Sequence, residues 1–165
     1  MTKQLVYIFG NIGSGKSTLI KHLKPDLESF TVFQKDILRD GTMAKEHSIK
    51  VELIRTLQTK NKIVLESTGG GKFEPIIQRE IRKQGFKVFS ILVDCKPFEC
   101  IKRFKNRLKS VQMGYNTTKI CLPRLVWDIA EGLEVKKYDL RLNSEINTPK
   151  EMSEISQIEI KKFYE

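Results

Sequence analysis

The chain has 165 residues, of which 39% are hydrophobic and 30% are charged, and its formal net charge is +10. This length predicts one domain over residues 1–165 with a substantial core, and this composition excludes an intrinsically disordered chain. The positive charge favours anionic partners such as nucleotides or nucleic acid, although a lysine-rich surface also serves solubility alone.

Hydrophobic runs in this sequence are all shorter than the roughly 20 residues that a membrane helix needs. The first run is also too short for a secretory signal peptide, so we expect a cytoplasmic protein without membrane contact. The three cysteines are an odd number, and the two histidines lie apart from them. This pattern argues against a disulfide framework and against a zinc site.

The first predicted element is a buried strand at residues 5–9, which a glycine-rich segment and a helix follow. Residues 10–17 fill every fixed position of the phosphate-loop motif G-x-x-x-x-G-K-[ST]. A strand, this segment (the P-loop) and a helix N-terminus together form a nest of backbone N–H groups that binds phosphate. The residues predicted to bind the nucleotide are Gly10, Asn11, Ile12, Gly13, Ser14, Gly15, Lys16, Ser17 and Thr18.

Two side chains of the P-loop have specific expected roles. Lys16 reaches the β- and γ-phosphates of a nucleoside triphosphate and acts in catalysis, and the Ser17 hydroxyl is a ligand for Mg²⁺. ATP or GTP and Mg²⁺ are therefore the expected cofactors. The alternative is a glycine turn that has the same letters and no phosphate function.

A second strand is predicted at residues 31–34, and Asp36 and Arg39 follow it. Ligands of parallel sheets bind at the carboxyl ends of the strands, so both side chains are expected in the site. Asp36 is the leading candidate for the general base that takes the proton of an acceptor hydroxyl. Arg39 is expected to hold the substrate or to stabilise charge on the transferring group. On spacing alone, a helix cap at Asp36 and a solvated Arg39 are equally good interpretations.

A helical pattern over residues 44–60 leads to a third strand at residues 62–66. Glu66 ends this strand and has two functional interpretations: it ligates Mg²⁺ through water, or it accepts hydrogen bonds from substrate hydroxyls beside Thr68. A carboxylate that balances nearby lysines is the structural alternative. The three glycines at residues 69–71 predict a turn that is mobile or closely approached by a ligand.

A helix that ends at Gly85 and a fourth strand at residues 86–93 precede a basic segment at residues 101–109. This segment carries five positive residues and no acid, and Arg103 and Arg107 share one face of the predicted helix. We expect a lid around residues 101–124 whose arginines, including Arg124, act in catalysis by offsetting charge on the polyphosphate. An amphipathic helix with a basic outer face is the alternative.

A fifth strand is predicted at residues 138–142, and Thr148 and Glu151 form a capping box at the start of a final helix. Repeated strand–helix units predict an α/β fold, a three-layer sandwich in which helices cover both faces of a parallel sheet.

The P-loop, the pair of Asp36 and Arg39, and the arginine-bearing segment after the fourth strand resemble the small P-loop kinases. Within that group the chain is most similar to the zeta toxin and polynucleotide kinase branch. This resemblance implies a P-loop NTPase fold with a five-stranded parallel sheet of order 2-3-1-4-5, and it implies that Asp36 is the base toward the acceptor. Glu66 and Thr68 match the Glu-x-Thr substrate ligands of zeta-type kinases, which phosphorylate UDP-N-acetylglucosamine.

The expected enzyme is a phosphotransferase that uses ATP or GTP and Mg²⁺ to phosphorylate a hydroxyl of a small molecule, for example a nucleotide sugar. Its expected substrate contacts are Asp36, Arg39, Glu66 and Thr68. A 5′-hydroxyl polynucleotide kinase, or a nucleoside or nucleotide kinase, is the first alternative. A nucleotide-dependent binding module whose hydrolysis only changes its conformation is the second. The resemblance to zeta toxins leaves an antitoxin-like protein partner open.

Overall fold

The computed structural model describes residues 2–35, 43–70, 74–110 and 122–165. In these ranges strands and helices alternate, and one short 3₁₀ helix (Lys24–Leu27) follows the first α-helix. The strands are β1 (Gln4–Phe9), β2 (Thr31–Gln34), β3 (Lys62–Ser67), β4 (Lys87–Asp94) and β5 (Leu140–Asn143). The helices are α1 (Lys16–Leu23), α2 (Met43–Thr59), α3 (Glu74–Lys83), α4 (Pro97–Ser110), α5 (Leu122–Glu134) and α6 (Pro149–Tyr164).

The five strands form one sheet in the order β2-β3-β1-β4-β5, and every neighbouring pair is parallel. β1 lies at the centre, where Val6 pairs with Val64 of β3 and Phe89 of β4. β1 and β3 are nearly continuous hydrophobic runs because a strand that is covered on both faces has no solvated side. The predicted fold class and strand order are therefore confirmed.

The core consists of two hydrophobic layers, one on each face of the sheet, because successive side chains of a strand point to opposite faces. Val6 and Ile8 of β1 pack in one layer with residues of α1 and α6. Leu5, Tyr7 and Phe9 pack in the other layer with residues of α2 and α3. The predicted three-layer arrangement is confirmed, and its helices leave the carboxyl edge of the sheet to the connecting loops.

Two helix ends follow their sequence signals. The Thr148 hydroxyl accepts a hydrogen bond from the Glu151 N–H, and the Glu151 carboxylate accepts one from the Thr148 N–H, so the predicted capping box is confirmed. Gly85 lies after α3 with a φ of +69°, the left-handed conformation that favours glycine at such ends.

The predicted start of β5 was wrong by two residues. Pairing with β4 begins at Leu140, opposite Ile91. One residue earlier, the Asp139 carboxylate accepts the hydrogen bond of the Ser90 N–H at 2.7 Å, so a side chain rather than a backbone carbonyl takes this bond. Hydrophobic pattern alone does not reveal such a replacement.

Two further observations concern the expected class of protein. Within the described ranges, no helix combines the length and the hydrophobicity that a membrane crossing demands. Cys95 and Cys100 are buried free thiols, whereas Cys121 lies outside the described residues.

Candidate active site

The P-loop runs from the end of β1 to the start of α1 at the carboxyl edge of the sheet. Gly13 and Gly15 have φ values of +79° and +103°, which residues with a Cβ rarely adopt. A Cβ on Gly13 would also lie 2.6 Å from the carbonyl oxygen of Cys100. Glycine therefore allows the loop to turn and to pack directly against the first turns of α4.

The N-terminus of α1 has the features of an anion site. Gly15 is its N-cap and makes no side-chain cap hydrogen bond, and the N–H groups of the first turn of a helix attract anions. Lys16 Nζ donates a hydrogen bond to the Asn11 carbonyl oxygen at 2.9 Å, which holds the ammonium group at the loop. Ser14 Oγ is buried and has no hydrogen-bond partner among the described residues. These groups fit the polyphosphate of a nucleotide.

Glu66 lies near the end of β3 and is only 1% exposed. Its Oε1 accepts a hydrogen bond from the Ser17 hydroxyl at 2.7 Å, and its Oε2 accepts one from the Gln34 side-chain amide at 2.8 Å. The sheet brings these groups together because Glu66 pairs with Ile8 of β1 on one side and with Gln34 of β2 on the other. A hydroxyl beside a carboxylate at a P-loop supplies the oxygen ligands that Mg²⁺ prefers.

This contact bears on the structural alternative for Glu66, a carboxylate that balances nearby lysines. Among the described residues its hydrogen-bond partners are a hydroxyl and an amide rather than lysines, which favours a role at Mg²⁺ over simple charge balance. Thr68 is largely buried just beyond it. The described ranges contain no cluster of three His, Cys, Asp or Glu side chains, and a Mg²⁺ site that completes its shell with phosphate oxygens and water needs none.

Arg103 lies on α4 and is held by the turn after β5. Its guanidinium donates hydrogen bonds to Glu99 Oε1, to the Ser144 hydroxyl and to the Ser144 carbonyl oxygen, each at 2.9 Å. Ser144 itself is close to the P-loop, since its Cβ lies 3.8 Å from the position of a Cβ on Gly15. The structure thus brings Arg103 to the rim of the candidate site through Ser144, the first residue after β5.

Of the other expected site residues, Arg107 and Arg124 are exposed on their helices, and the rest lie outside the described residues. Arg107 is exposed and its guanidinium lies 5.5 Å from the centre of the Phe104 ring. Arg124 is exposed near the start of α5. Asp36 and Arg39 lie outside the described residues, as do residues 111–121 of the expected lid and Gly71 of the glycine turn.

A pair of cysteines packs beside this rim, and sequence analysis gave it no role. The hydrogen bond with the Cys100 thiol lowers the pKa of Cys95 to about 7, with help from the Ser144 hydroxyl and the Arg103 charge. The same contact, together with burial, raises the pKa of Cys100. Cys95 is therefore the thiol of the pair that ionises first. Local sequence carries no signal for this because Ser144 and Arg103 come from other elements.

No protein-family model matches the sequence, and no curated protein matches it. Solved structures match it over nearly its whole length. APS kinase of Mycobacterium tuberculosis, in complex with AMPPNP and APS, is 19% identical with a TM-score of 0.66, over 98% of this chain and 99% of the kinase chain. The chain therefore shares the fold of this kinase.

Two further solved structures are similar to the chain. Shikimate kinase from Acinetobacter baumannii, in complex with shikimate, is 15% identical with a TM-score of 0.64, over 98% of this chain and 95% of the kinase chain. A chain of the Pnkp1/Rnl/Hen1 RNA repair complex is 14% identical with a TM-score of 0.64, over 84% of this chain and 48% of that chain. At these identities the likeness establishes the fold, and the chemistry rests on the site residues.

Proposed function

We propose that this protein is a Mg²⁺-dependent kinase that transfers the γ-phosphate of ATP or GTP to a hydroxyl group of an acceptor. The observation that carries the proposal is the contact of the buried Glu66 with Ser17 at the start of α1, beside Lys16 and a helix N-terminus whose N-cap is glycine. A P-loop, a Mg²⁺-ligating hydroxyl and a buried carboxylate are the parts that phosphoryl transfer from a nucleotide requires.

The donor half of the mechanism uses the described residues. The N–H groups of the P-loop and of the first turn of α1 bind the phosphate oxygens, and Lys16 extends to the β- and γ-phosphates. Ser17 and Glu66 would hold Mg²⁺, which supplies positive charge that neutralises the phosphate oxygens. Arg103, which hydrogen bonds to Ser144 and Glu99 hold in place, adds positive charge at the rim of the same site.

The acceptor half rests on the sequence motif. Asp36 takes the proton of the acceptor hydroxyl, the hydroxyl oxygen bonds to the γ-phosphorus, and the bond from this phosphorus to the β–γ bridging oxygen breaks to release the nucleoside diphosphate. Arg39 and Thr68 position the acceptor. The resemblance to zeta-type kinases and the similarity to kinases solved with APS and shikimate favour a small molecule, and we propose a nucleotide sugar as the first acceptor to test.

A 5′-hydroxyl polynucleotide is the second candidate acceptor, and a surface feature favours it. Phe98 and Trp127 are both exposed, and their rings meet edge to face with centres 5.8 Å apart. The exposed Lys102 lies four residues after Phe98, one turn along α4. Aromatic rings next to cations suit single-stranded nucleic acid, and the RNA repair complex shares the fold. Transfer of labelled phosphate to a 5′-hydroxyl oligonucleotide tests this candidate, and no transfer together with no salt-dependent retention of the oligonucleotide rejects it.

A screen for acceptor-dependent release of ADP or GDP tests the proposed function. The screen uses nucleosides, nucleotide sugars and oligonucleotides, with Mg²⁺ and either triphosphate. We expect at least one acceptor to stimulate release by the wild type and by Lys21→Met, which removes an exposed lysine of α1. Lys16→Met is expected to abolish it. Release that no acceptor stimulates, or that survives Lys16→Met, contradicts the proposal.

A further inference from the structure

Helix α5 is attached to the P-loop by one buried side chain. Asn11 is 2% exposed, its Nδ2 donates a hydrogen bond to the Val126 carbonyl oxygen at 2.8 Å, and its Oδ1 accepts one from the Ile12 N–H at 2.8 Å. The amide thus bonds the loop backbone with one end and α5 with the other. Because a buried amide that loses a partner is costly, the P-loop and this part of α5 should move together.

The other end of α5 is attached to the start of α3. Lys136 comes two residues after α5, and its Nζ lies 3.1 Å from Glu74 Oε1. The same Glu74 carboxylate accepts hydrogen bonds from the Tyr7 hydroxyl at 2.7 Å and from the Gln78 amide at 2.9 Å. Burial and the Glu74 charge raise the pKa of Tyr7 well above its usual range, so Tyr7 remains a hydrogen-bond donor. Lys136 therefore bonds to a carboxylate that β1 and α3 already hold in place.

Between these two attachments, α5 packs against the turn after β3. Gly69 has a φ of +76°, and a Cβ on it would lie 3.0 Å from Phe9 and 3.2 Å from Leu133 of α5. This turn directly follows Glu66 and Thr68. Helix α5 therefore contacts the P-loop and the turn after β3, and Lys136, just after the helix, contacts the first residue of α3.

We propose that α5 couples the nucleotide side of the site to α3, and that Lys136 and Glu74 are the positioning residues through which this coupling reaches α3. Nucleotide binding orders the P-loop, and the Asn11 hydrogen bond orders α5 at Val126 as well. The helix extends this effect over about 12 Å to its C-terminal end, two residues before Lys136. Ordering one site in this way makes it less costly to order the other, which is positive coupling. This inference rests on the proposed nucleotide binding and goes beyond it.

The experiment compares amide hydrogen exchange of the full chain with and without Mg²⁺ and the analogue AMPPNP, read by mass spectrometry. In the wild type we expect the analogue to slow exchange in the P-loop and also, by about fivefold, in α3. Lys136→Met should keep the P-loop protection and its calorimetric affinity for AMPPNP, while the added protection of α3 falls below about twofold.

Two variants separate positioning from a merely structural effect. Lys137→Met removes the neighbouring, exposed lysine and should behave as the wild type. Lys136→Arg retains a cation for Glu74 and should restore most of the added protection. A structural role alone would change exchange without nucleotide and leave the nucleotide-induced difference intact.

The outcomes distinguish the two proposals. If AMPPNP binds but α3 exchange does not slow, or if Lys136→Met keeps the full effect, the coupling is refuted and the proposed function stands. If Lys137→Met loses the effect equally, general charge rather than the contact with Glu74 is responsible, and the coupling through Lys136 is refuted. If AMPPNP gives no heat of binding, the proposed function fails and the coupling fails with it.

Discussion

Replacement of Glu66 by glutamine is the sharpest perturbation of the candidate site, because it removes a charge and almost no volume. The amide oxygen of Glu66→Gln still accepts one of the two hydrogen bonds that Ser17 and Gln34 donate. A buried neutral side chain also costs less than a buried charge. We therefore expect the nucleotide-free protein to unfold at the wild-type temperature or slightly above it.

The same substitution should weaken nucleotide binding, although it leaves the stability of the nucleotide-free protein unchanged or slightly higher. A nucleotide present at 100 times its Kd stabilises a protein by about 2.7 kcal/mol. If Glu66 supports Mg²⁺ through the Ser17 hydroxyl, its loss weakens binding by about 10- to 100-fold, as is typical of residues that orient a metal ligand. The same nucleotide concentration then stabilises the variant by only about 1.4 to 0.4 kcal/mol.

Thermal unfolding with and without ATP measures this difference. For a chain of this length we expect Tm to rise by about 5–11 °C in the wild type with Mg²⁺ and ATP, and the rise in Glu66→Gln to be about half as large or smaller. In EDTA, ATP should change the Tm of the wild type and of Glu66→Gln by the same amount, because the effect of Glu66 on ATP binding depends on Mg²⁺. Glu80→Gln is the matched control, since Glu80 is also buried and bonded by side-chain amides but lies on α3. A Glu66→Gln response to Mg²⁺ and ATP as large as that of Glu80→Gln would refute the assigned role.

Three further predictions concern the acceptor, the P-loop and the thiol pair. Asp36→Asn should leave ATP affinity near normal while transfer to any acceptor identified by the screen falls by about 100- to 10,000-fold, and unchanged turnover would end its assignment as the base. Gly13→Ala should lower the unfolding temperature more than Gly85→Ala, because both incur the strain of a positive φ, about 1–2 kcal/mol, whereas only the first places a Cβ against the Cys100 carbonyl oxygen; equal losses would contradict this packing. Because the folded-state pKa of Cys95 is depressed to about 7 from an ordinary 9.0, deprotonation favours folding, so its contribution is complete above about pH 9 and is lost as the pH falls through about 7. Urea unfolding midpoints should therefore show that the stability advantage of the wild type over Cys95→Ser decreases as the pH is lowered from about 9 to about 7. A difference that does not change with pH would contradict the depressed pKa of Cys95.

The sheet and the P-loop were predictable from sequence because their signals are local. A hydrophobic run, a glycine-rich motif and a helical pattern follow one another in residues 5–23, and β1, the P-loop and α1 lie there. The capping box of Thr148 and Glu151 was predicted for the same reason, since both partners lie within one turn. The strand order came from the resemblance to P-loop kinases, and the structure confirms it.

The contacts that complete the site were not predictable because they join distant parts of the chain. The Asn11 side chain meets Val126, 115 residues away, and Lys136 meets Glu74, 62 residues away. Glu66 was predicted to be a site residue from its place at a strand end, but its contact with Ser17 was not predictable, and its role stays a prediction. The roles of Asp36 and Arg39 stay predictions.

Calorimetric titration of the wild type with ATP and GTP in the presence of Mg²⁺ tests the central claim most directly. The account predicts saturable binding of at least one of these triphosphates at one site per chain, with affinity that falls when EDTA removes the metal and heat that is lost in Lys16→Met. Absence of binding by both triphosphates would contradict it, because the P-loop, Ser17 and Glu66 would then form a structural turn without a nucleotide.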